Sequence, residues 1–135
     1  MESMLARQEA RNAGADEALF LNEKGQVTEA SGSNVFVVAN GIVKTPRLRS
    51  GILPGITRAA VFEVARQIGV RIAESNLPPG QLLAADEVFL TNSLIEVMPV
   101  TTIAGQAIGG GAPGAVTKQL MEEYRRLVFN ELHAR

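Results

Sequence analysis

The sequence predicts a single α/β domain with a mixed β-sheet and flanking helices, and three observations lead to that prediction. Segments rich in β-branched residues alternate with segments whose apolar residues recur at helical spacing, as in folds that combine sheets and helices. Two pairs of candidate strands are joined by short turns, which adds antiparallel neighbours to the sheet. The 135 residues, of which 46% are hydrophobic, suffice for one buried core.

The predicted elements follow from local signals in the first half of the chain. A dipeptide such as Asn40-Gly41 favours a tight hairpin turn, and Val61, Val64, Ala65 and Ile68 share one helix face. The resulting elements are a helix over 2–12, a hairpin of strands 18–21 and 27–29, a hairpin of strands 34–39 and 42–45, a loop over 46–54 and a helix over 56–68.

The second half of the chain continues the alternation of strands and helices. Gly69 ends the preceding helix, and proline or glycine residues separate most of the later elements. The predicted elements are a strand over 70–74, a short helix over 78–85, strands over 87–91 and 97–103, a glycine-rich loop over 105–114 and a C-terminal helix striped by Val116, Leu120, Tyr124, Leu127 and Val128.

Charge, cysteine content and histidine content exclude several function classes. Thirteen basic and fourteen acidic residues give a formal net charge of −1, which provides no basic surface for nucleic acid or an anionic membrane. With no cysteine and one histidine, His133, the chain is not expected to use thiol or histidine chemistry, and we assign no metal site. No apolar run approaches the roughly 18 residues of a membrane span, and we expect a cytoplasmic location.

A Pro-Gly turn at residues 54–55 leads directly into the helix predicted from Ile56. Backbone N–H groups in the first turn of a helix lack intrahelical acceptors and carry the positive end of the helix dipole, so they suit a phosphate or carboxylate. Thr57 adds a hydroxyl and Arg58 a cation, and no acidic residue occurs up to Ala60. A bound anion would balance that arrangement. The alternative is a plain loop-to-helix junction with Arg58 in solvent.

Two polar residues, Asn92 and Ser93, interrupt apolar strand segments in a way that resembles no hairpin turn. Polar groups between buried strands need partners, and a ligand is one possible partner. The two side chains could direct donors at an anion. The alternative is that they bond the local backbone in Asx or ST turns.

Glu29 lies at the end of a short predicted strand and is followed by the small residues 30–33. A carboxylate beside backbone that allows close approach could pair with a nitrogen of a buried ligand. The alternative is a solvated side chain, because Glu is seldom buried without a partner.

The chain contains three lysines, Lys24, Lys44 and Lys118. They lie in a turn, at a strand end and at the start of the last helix, and we predict that all three are exposed. None has the desolvated or cation-flanked setting that makes a lysine nucleophilic. No lysine is therefore assigned to catalysis.

Three stretches of the chain together resemble the class IV, or fold type IV, pyridoxal-phosphate enzymes. They are residues 27–36 (VTEASGSNVF), 51–58 (GILPGITR) and 85–93 (ADEVFLTNS), in the order and spacing of that family. The family includes branched-chain aminotransferases, D-amino-acid aminotransferases and 4-amino-4-deoxychorismate lyases. The resemblance implies a mixed, partly barrel-like sheet, pyridoxal 5′-phosphate as cofactor, a small amino-acid-like substrate and a homodimer.

The resemblance also implies roles for individual residues. Glu29 matches the acidic residue that pairs with the pyridine nitrogen and keeps it protonated, so that the ring acts as an electron sink. Ile56 and Thr57 match the helix start that binds the cofactor phosphate. Asn92 and Ser93 match the second phosphate-binding turn.

Two leucines have contacts implied by the resemblance alone. Leu53 matches the residue packed against the face of the cofactor ring, and Leu94 matches a backbone position near the substrate carboxylate. Arg58 belongs to the motif, but the resemblance gives it no contact.

The family's Schiff-base lysine lies a few residues before the helix predicted at residue 2, and its phosphate-gripping arginine lies further upstream in a small N-terminal domain. Neither residue occurs in this sequence. We therefore expect residues 1–135 to form one domain, the larger C-terminal domain of such an enzyme, with no catalytic residue of its own. The isolated chain is expected to be inactive.

Two subfamilies and one unrelated class of function are compatible with the motifs. The segment TNSLIEVMPV, residues 91–100, looks closest to the aminodeoxychorismate lyases, which release pyruvate and 4-aminobenzoate, and we favour that activity. The segment LPGITR, residues 53–58, is equally at home in branched-chain aminotransferases, and a D-amino-acid aminotransferase is a further alternative. The rival class is a non-catalytic module that binds a phosphorylated ligand at the Ile56 helix start.

Overall fold

The computed structural model describes residues 19–21, 23–30, 33–47, 55–92 and 96–133. The helix predicted over 2–12 lies outside the described residues. Within them, strands and helices alternate as the sequence predicts. The strands are β1 (Leu19–Leu21), β2 (Val27–Ala30), β3 (Asn34–Ala39), β4 (Ile42–Thr45), β5 (Ile72–Glu74), β6 (Glu87–Asn92), β7 (Glu96–Val100), β8 (Thr102–Ile103) and β9 (Gln106–Ala107). The helices are α1 (Ile56–Gln67), α2 (Pro79–Leu83) and α3 (Ala115–His133).

The largest sheet has five strands in the order β5-β4-β3-β6-β7. Strands β4 and β5 are parallel, and the other neighbours are antiparallel, so the predicted mixed sheet is confirmed. Strands β1 and β2 form a separate antiparallel pair, as do β8 and β9. The described strands form open sheets, with β5 and β7 at the edges of the largest. The partly barrel-like closure that the resemblance implied is not found among them.

The second predicted hairpin, β3 with β4, is confirmed at its turn. Asn40 and Gly41 both have positive φ, 53° and 75°, as a type I′ turn requires. The backbone N–H of Asn40 donates to the Asp86 carboxylate at 3.0 Å, and the N–H of Asp86 donates to the Val38 carbonyl at 2.9 Å. The turn is therefore also fixed by a residue 46 positions away in the sequence.

The connection between β6 and β7 differs from the prediction. The two strands pair antiparallel, with Asn92 opposite Glu96, although Asn92-Ser93 resembles no hairpin-turn sequence. Only three residues separate the strands, and Glu96 takes a left-handed backbone with φ of 59°. A glutamate in this conformation gives no sequence signal, because the conformation normally favours glycine.

The side chains of the five-stranded sheet alternate between two hydrophobic clusters. One face carries Val35, Val37 and Leu90 and packs against β2, α2 and the loops around them. The opposite face carries Phe36 and Phe89, whose rings stack 4.7 Å apart, and it is covered by α1 and α3. This period-two alternation follows from strand geometry.

The helices bury the faces that the sequence predicts. Val61, Val64 and Ala65 of α1 are buried, and Leu120 of α3 is fully buried. Gly69, with φ of 78°, follows the end of α1. None of the helices in the described part of the chain is long and apolar enough to cross a membrane.

Candidate functional site

The start of helix α1 is arranged to receive an anion. Gly55 is the N-cap residue, in an extended conformation with φ of −105° and ψ of 142°. Among the described residues no side chain caps this end, and the first turn contains no acidic residue. Ile56 is 85% exposed, whereas Thr57 is only 3% exposed. Within the described part of the chain, no side chain therefore gives this turn the acceptor that most helix starts receive.

Helix α3 shows the opposite arrangement and serves as an internal comparison. The Glu87 carboxylate of β6 accepts hydrogen bonds from the backbone N–H groups of Val116 at 3.2 Å and Thr117 at 2.7 Å. A Cβ atom on Gly114 would overlap that carboxylate. The chain thus supplies its own anion to one helix start, through a residue close to 30 positions away, and supplies none from the described residues to the other.

Asn34 connects the start of α1 to the end of the five-stranded sheet. A Cβ atom built on Gly55 would overlap the Asn34 Oδ1 atom, so glycine is needed for this close approach. Asn34 is the first residue of β3, is 7% exposed, and lies opposite Thr91 of β6. The sheet end formed by these two strands is therefore in contact with the helix start.

The end of the β3–β6 pair carries polar groups on both faces. The Asn92 side-chain amide donates to the Ser33 hydroxyl at 3.0 Å. Thr91 lies on the other face, beside Asn34, because alternate residues of a strand point to opposite sides. The Thr91 hydroxyl is fully buried and has no hydrogen-bond partner within the described residues. Asn34 and Thr91 thus share the sheet face that α1 covers, whereas Asn92 lies on the opposite face.

Glu29 is brought to the same end of the sheet by a tight turn. Ala30 and Ser33 exchange backbone hydrogen bonds of 2.9 Å and 3.2 Å, so the chain reverses immediately after Glu29 and enters β3. Glu29 is half-buried and lies opposite Phe20 in the β1–β2 pair. All three sequence features thus lie at or directly beside one end of the sheet.

Arg58 occupies a place that the sequence did not predict. Its side chain is 7% exposed, and its Nη2 atom lies 2.7 Å from the Glu74 carboxylate. The alternative that placed Arg58 in solvent is therefore wrong. The positive charge in the first turn of α1 is balanced by Glu74, so it does not by itself require a bound anion.

Several predicted residues lie outside the part of the chain that the structure describes. These residues are Leu53, Ser93 and Leu94. Among the lysines, Lys24 and Lys118 are exposed as predicted, whereas Lys44 is half-buried, because it pairs with β3 on one side and β5 on the other.

Sequence reasoning missed Ser33, Asn34 and Glu74 as members of this region. A weak signal existed for Asn34, which is a polar residue at the start of an otherwise apolar strand. Glu74 gave no sequence signal, because its partner Arg58 is 16 residues away in another element. Backbone N–H groups in a first helical turn that contains no carboxylate suit a phosphate group.

Comparison with known proteins identifies the family. The family model described as amino-transferase class IV matches residues 1–103. The chain belongs to the class IV aminotransferase family. The family assignment made from the three sequence motifs is therefore confirmed.

The relatives of this class IV chain include branched-chain-amino-acid aminotransferases of two bacteria. The protein of Pseudomonas aeruginosa is 38% identical over 134 residues, which cover 99% of this chain and 43% of the relative. The Escherichia coli protein is 36% identical over 131 residues, covering 97% of this chain and 42% of the relative. The chain thus spans less than half the length of these relatives.

Solved structures of branched-chain aminotransferases share the fold. The enzyme of Thermobaculum terrenum, in a pyridoxal-phosphate holo form, has a TM-score of 0.91 at 41% identity and covers 95% of this chain and 42% of its own. The enzyme of the archaeon Thermoproteus uzoniensis, solved with norvaline, has a TM-score of 0.91 at 39% identity, covering 98% and 43%. These relatives favour the aminotransferase alternative, and the aminodeoxychorismate lyase activity favoured from the sequence receives no support.

Proposed function

We propose that this chain binds pyridoxal 5′-phosphate and forms the cofactor-binding part of a branched-chain aminotransferase. Membership of the class IV family and likeness to branched-chain aminotransferases support this proposal. The chain spans 43% of the Pseudomonas relative. We therefore include in the proposal the complete reaction, its substrate and a homodimeric assembly. Leucine, isoleucine and valine are the substrates that the relatives suggest.

The observation that carries the proposal is the contrast between the two helix starts. Helix α3 receives the Glu87 carboxylate, whereas the first turn of α1 has neither an acidic residue nor a side-chain cap among the described residues. A phosphate at Ile56 and Thr57 would accept hydrogen bonds from their backbone N–H groups and interact with the positive end of the helix dipole. Hydrogen bonds to a charged acceptor of this kind contribute about 1.5–3 kcal/mol each.

The other residues at the site would hold the cofactor at two further points. Glu29 would accept a hydrogen bond from the pyridinium N–H, and its half-buried position on β2 suits that role. Asn92 would assist the phosphate from the end of β6, and Ser93, which lies beyond the described residues, would do so with its hydroxyl. The roles of Leu53 at the ring face and Leu94 near the substrate carboxylate stay predictions.

Pyridoxal phosphate supplies an electron-accepting ring that stabilises the negative charge left when the substrate loses its α-proton. The contribution of Glu29 is to hold a proton on the ring nitrogen, because an ionised carboxylate there favours the positively charged pyridinium. None of Lys24, Lys44 and Lys118 lies in the motifs that form the site. We therefore propose that these 135 residues hold the cofactor without a covalent bond and do not catalyse transamination alone.

Isothermal titration of the 135-residue chain tests the proposal with three probes. Pyridoxamine 5′-phosphate, which needs no lysine to bind, is compared with pyridoxamine and with inorganic phosphate. We expect pyridoxamine 5′-phosphate to bind at least about tenfold more tightly than either fragment, which corresponds to about 1.4 kcal/mol. Equal affinity for inorganic phosphate would instead favour a module that recognises a phosphorylated ligand of another kind. Absence of any preference for the phosphate would contradict the site at α1.

A further inference from the structure

Arg58 is a buried cation that joins three elements at the start of helix α1. Its Nη2 atom donates to the Pro46 carbonyl at 3.1 Å, just after β4, and to the Glu74 carboxylate at 2.7 Å, at the end of β5. Its guanidinium carbon lies 4.9 Å from the centre of the Phe62 ring, one turn further along α1. The side chain is only 7% exposed.

The position of Arg58 is electrostatically unfavourable for the helix itself. A positive charge in the first turn of a helix opposes the dipole, and burial of a guanidinium is costly unless the charge is paired. The Nε atom of Arg58 is also buried without a hydrogen-bond partner among the described residues. The interaction with Glu74 and Pro46 therefore has to offset several unfavourable contributions, which points to a role for Arg58 other than stabilising an isolated helix.

Besides Arg58, the start of α1 is held by the buried Thr57 and by the close approach of Asn34 to Gly55. Gly55 provides no side-chain cap, and Ile56 is 85% exposed and packs little. Arg58 is in the same turn as the two N–H groups and ties that turn to the parallel strands β4 and β5. The Nη2 nitrogen alone bonds both acceptors, but a lysine would lack the longer side chain and the planar guanidinium that lies over the Phe62 ring.

We propose that Arg58 is a positioning residue: with Glu74 it fixes the first turn of α1 and so aims the N–H groups of Ile56 and Thr57 at the cofactor phosphate. The aim at a phosphate rests on the function proposed above. The pair is neutral as a whole, so Arg58 does not act by attracting the phosphate with its charge. Substitution of Glu74 distinguishes a positioning role of Arg58 from direct attraction of the phosphate.

Hydrogen exchange tests the anchoring without any ligand. The reporter is the Ala59 amide, which donates to the Gly55 carbonyl at 3.1 Å in the first turn. We expect Arg58→Lys and Glu74→Gln to accelerate its exchange at least about tenfold, because each variant releases the turn from the sheet. Arg66→Lys is the matched control, since Arg66 is exposed on the same helix and lies 5.6 Å from the same Phe62 ring. Unchanged exchange at Ala59 in both variants would overturn the proposal.

Affinity for pyridoxamine 5′-phosphate tests the consequence for the site. Arg58→Lys and Glu74→Gln are both expected to weaken binding about three- to tenfold, with affinity for pyridoxamine unchanged, and Arg66→Lys is expected to have no effect beyond about twofold. These values reflect loss of part of one charged hydrogen bond. If Arg58 attracted the phosphate directly, Glu74→Gln would free its charge and tighten binding, and that result would overturn the proposal.

Hydrogen exchange and binding affinity together distinguish a failure of the proposed function from a failure of the proposed anchoring. If the wild-type chain does not prefer the phosphorylated probe, the proposed function fails, while Ala59 exchange still decides whether Arg58 and Glu74 anchor the turn. If Arg58→Lys does not fold, as judged by circular dichroism, Glu74→Gln decides the proposal by itself, because it keeps the arginine and changes only the charge of its partner.

Discussion

Removal of the Glu87 carboxylate should release the start of helix α3. In Glu87→Ala the N–H groups of Val116 and Thr117 lose acceptors at 3.2 Å and 2.7 Å. Thr117 is fully buried, so its N–H group is poorly placed to bond water instead. Loss of a helix cap costs about 0.5–2 kcal/mol, and a hydrogen bond to a charged group contributes about 1.5–3 kcal/mol. Because the longer bond is weak, we expect the free energy of unfolding to fall by about 2 kcal/mol.

A double-mutant cycle with Gly114 separates this cap from general damage. A Cβ atom on Gly114 would overlap the Glu87 carboxylate, so Gly114→Ala should destabilise the wild-type chain by displacing that group. In the Glu87→Ala background the same change meets no carboxylate, and its cost should fall by about 1 kcal/mol or more, within the range measured for coupled neighbours. Glu63→Ala, an exposed position on α1, is the matched control.

Urea denaturation followed by circular dichroism measures these differences, with an unchanged slope indicating that the unfolded state is unaffected. A loss below about 0.5 kcal/mol for Glu87→Ala, the range of ordinary surface substitutions, would refute the capping role. Strictly additive effects of Glu87→Ala and Gly114→Ala would refute the contact between them.

Three further predictions follow from the same structure. Gly41→Ala should lower the free energy of unfolding by about 1–2 kcal/mol, because Gly41 has φ of 75° and the left-handed conformation is costly for other residues; urea titration checks this. Phe89→Ala should cost about 3–5 kcal/mol, since Phe89 is fully buried and stacked on Phe36, whereas Phe129→Ala, at a residue that is 57% exposed, should cost less than about 1 kcal/mol. On the function proposed above, Glu29→Gln in an aminotransferase that contains this chain should lower kcat at least about tenfold with a smaller change in KM, because the variant no longer favours a protonated ring nitrogen; unchanged kcat would contradict the proposed role of Glu29.

Most of the fold was predicted from sequence patterns that span only a few residues. The Asn40-Gly41 hairpin depends on two adjacent residues that both accept positive φ, and the buried stripe of Val61, Val64 and Ala65 depends on spacing within one helix. Such features are encoded over a few residues, so a single sequence suffices to find them. The β6–β7 hairpin was missed because its closing residue, Glu96, is a glutamate in a conformation that normally indicates glycine.

Only the part of the candidate site that is encoded in short segments was predicted. The anion-binding start of α1 is visible in a short motif, whereas the features that distinguish it are long-range. Glu87 caps α3 from close to 30 residues away, and Glu74 pairs with Arg58 across 16 residues. No periodicity or spacing in one sequence reports such pairs, so the burial of Arg58 could not be predicted. The sequence motifs left the subfamily open between a lyase and an aminotransferase, and the relatives favour the aminotransferase alternative over the lyase expectation.

The central claim is that the first turn of α1, and not the start of α3 that Glu87 caps, receives the cofactor phosphate. Nitrogen–proton NMR spectra of the 135-residue chain, recorded during titration with pyridoxamine 5′-phosphate, test it at single residues. We expect the amide signals of Ile56 and Thr57 to shift in a saturable way, with no comparable shift for pyridoxamine. The amides of Val116 and Thr117, already bonded to Glu87, should stay in place. Shifts at Val116 and Thr117 equal to those at Ile56 and Thr57, or no shift at Ile56 and Thr57, would contradict the claim.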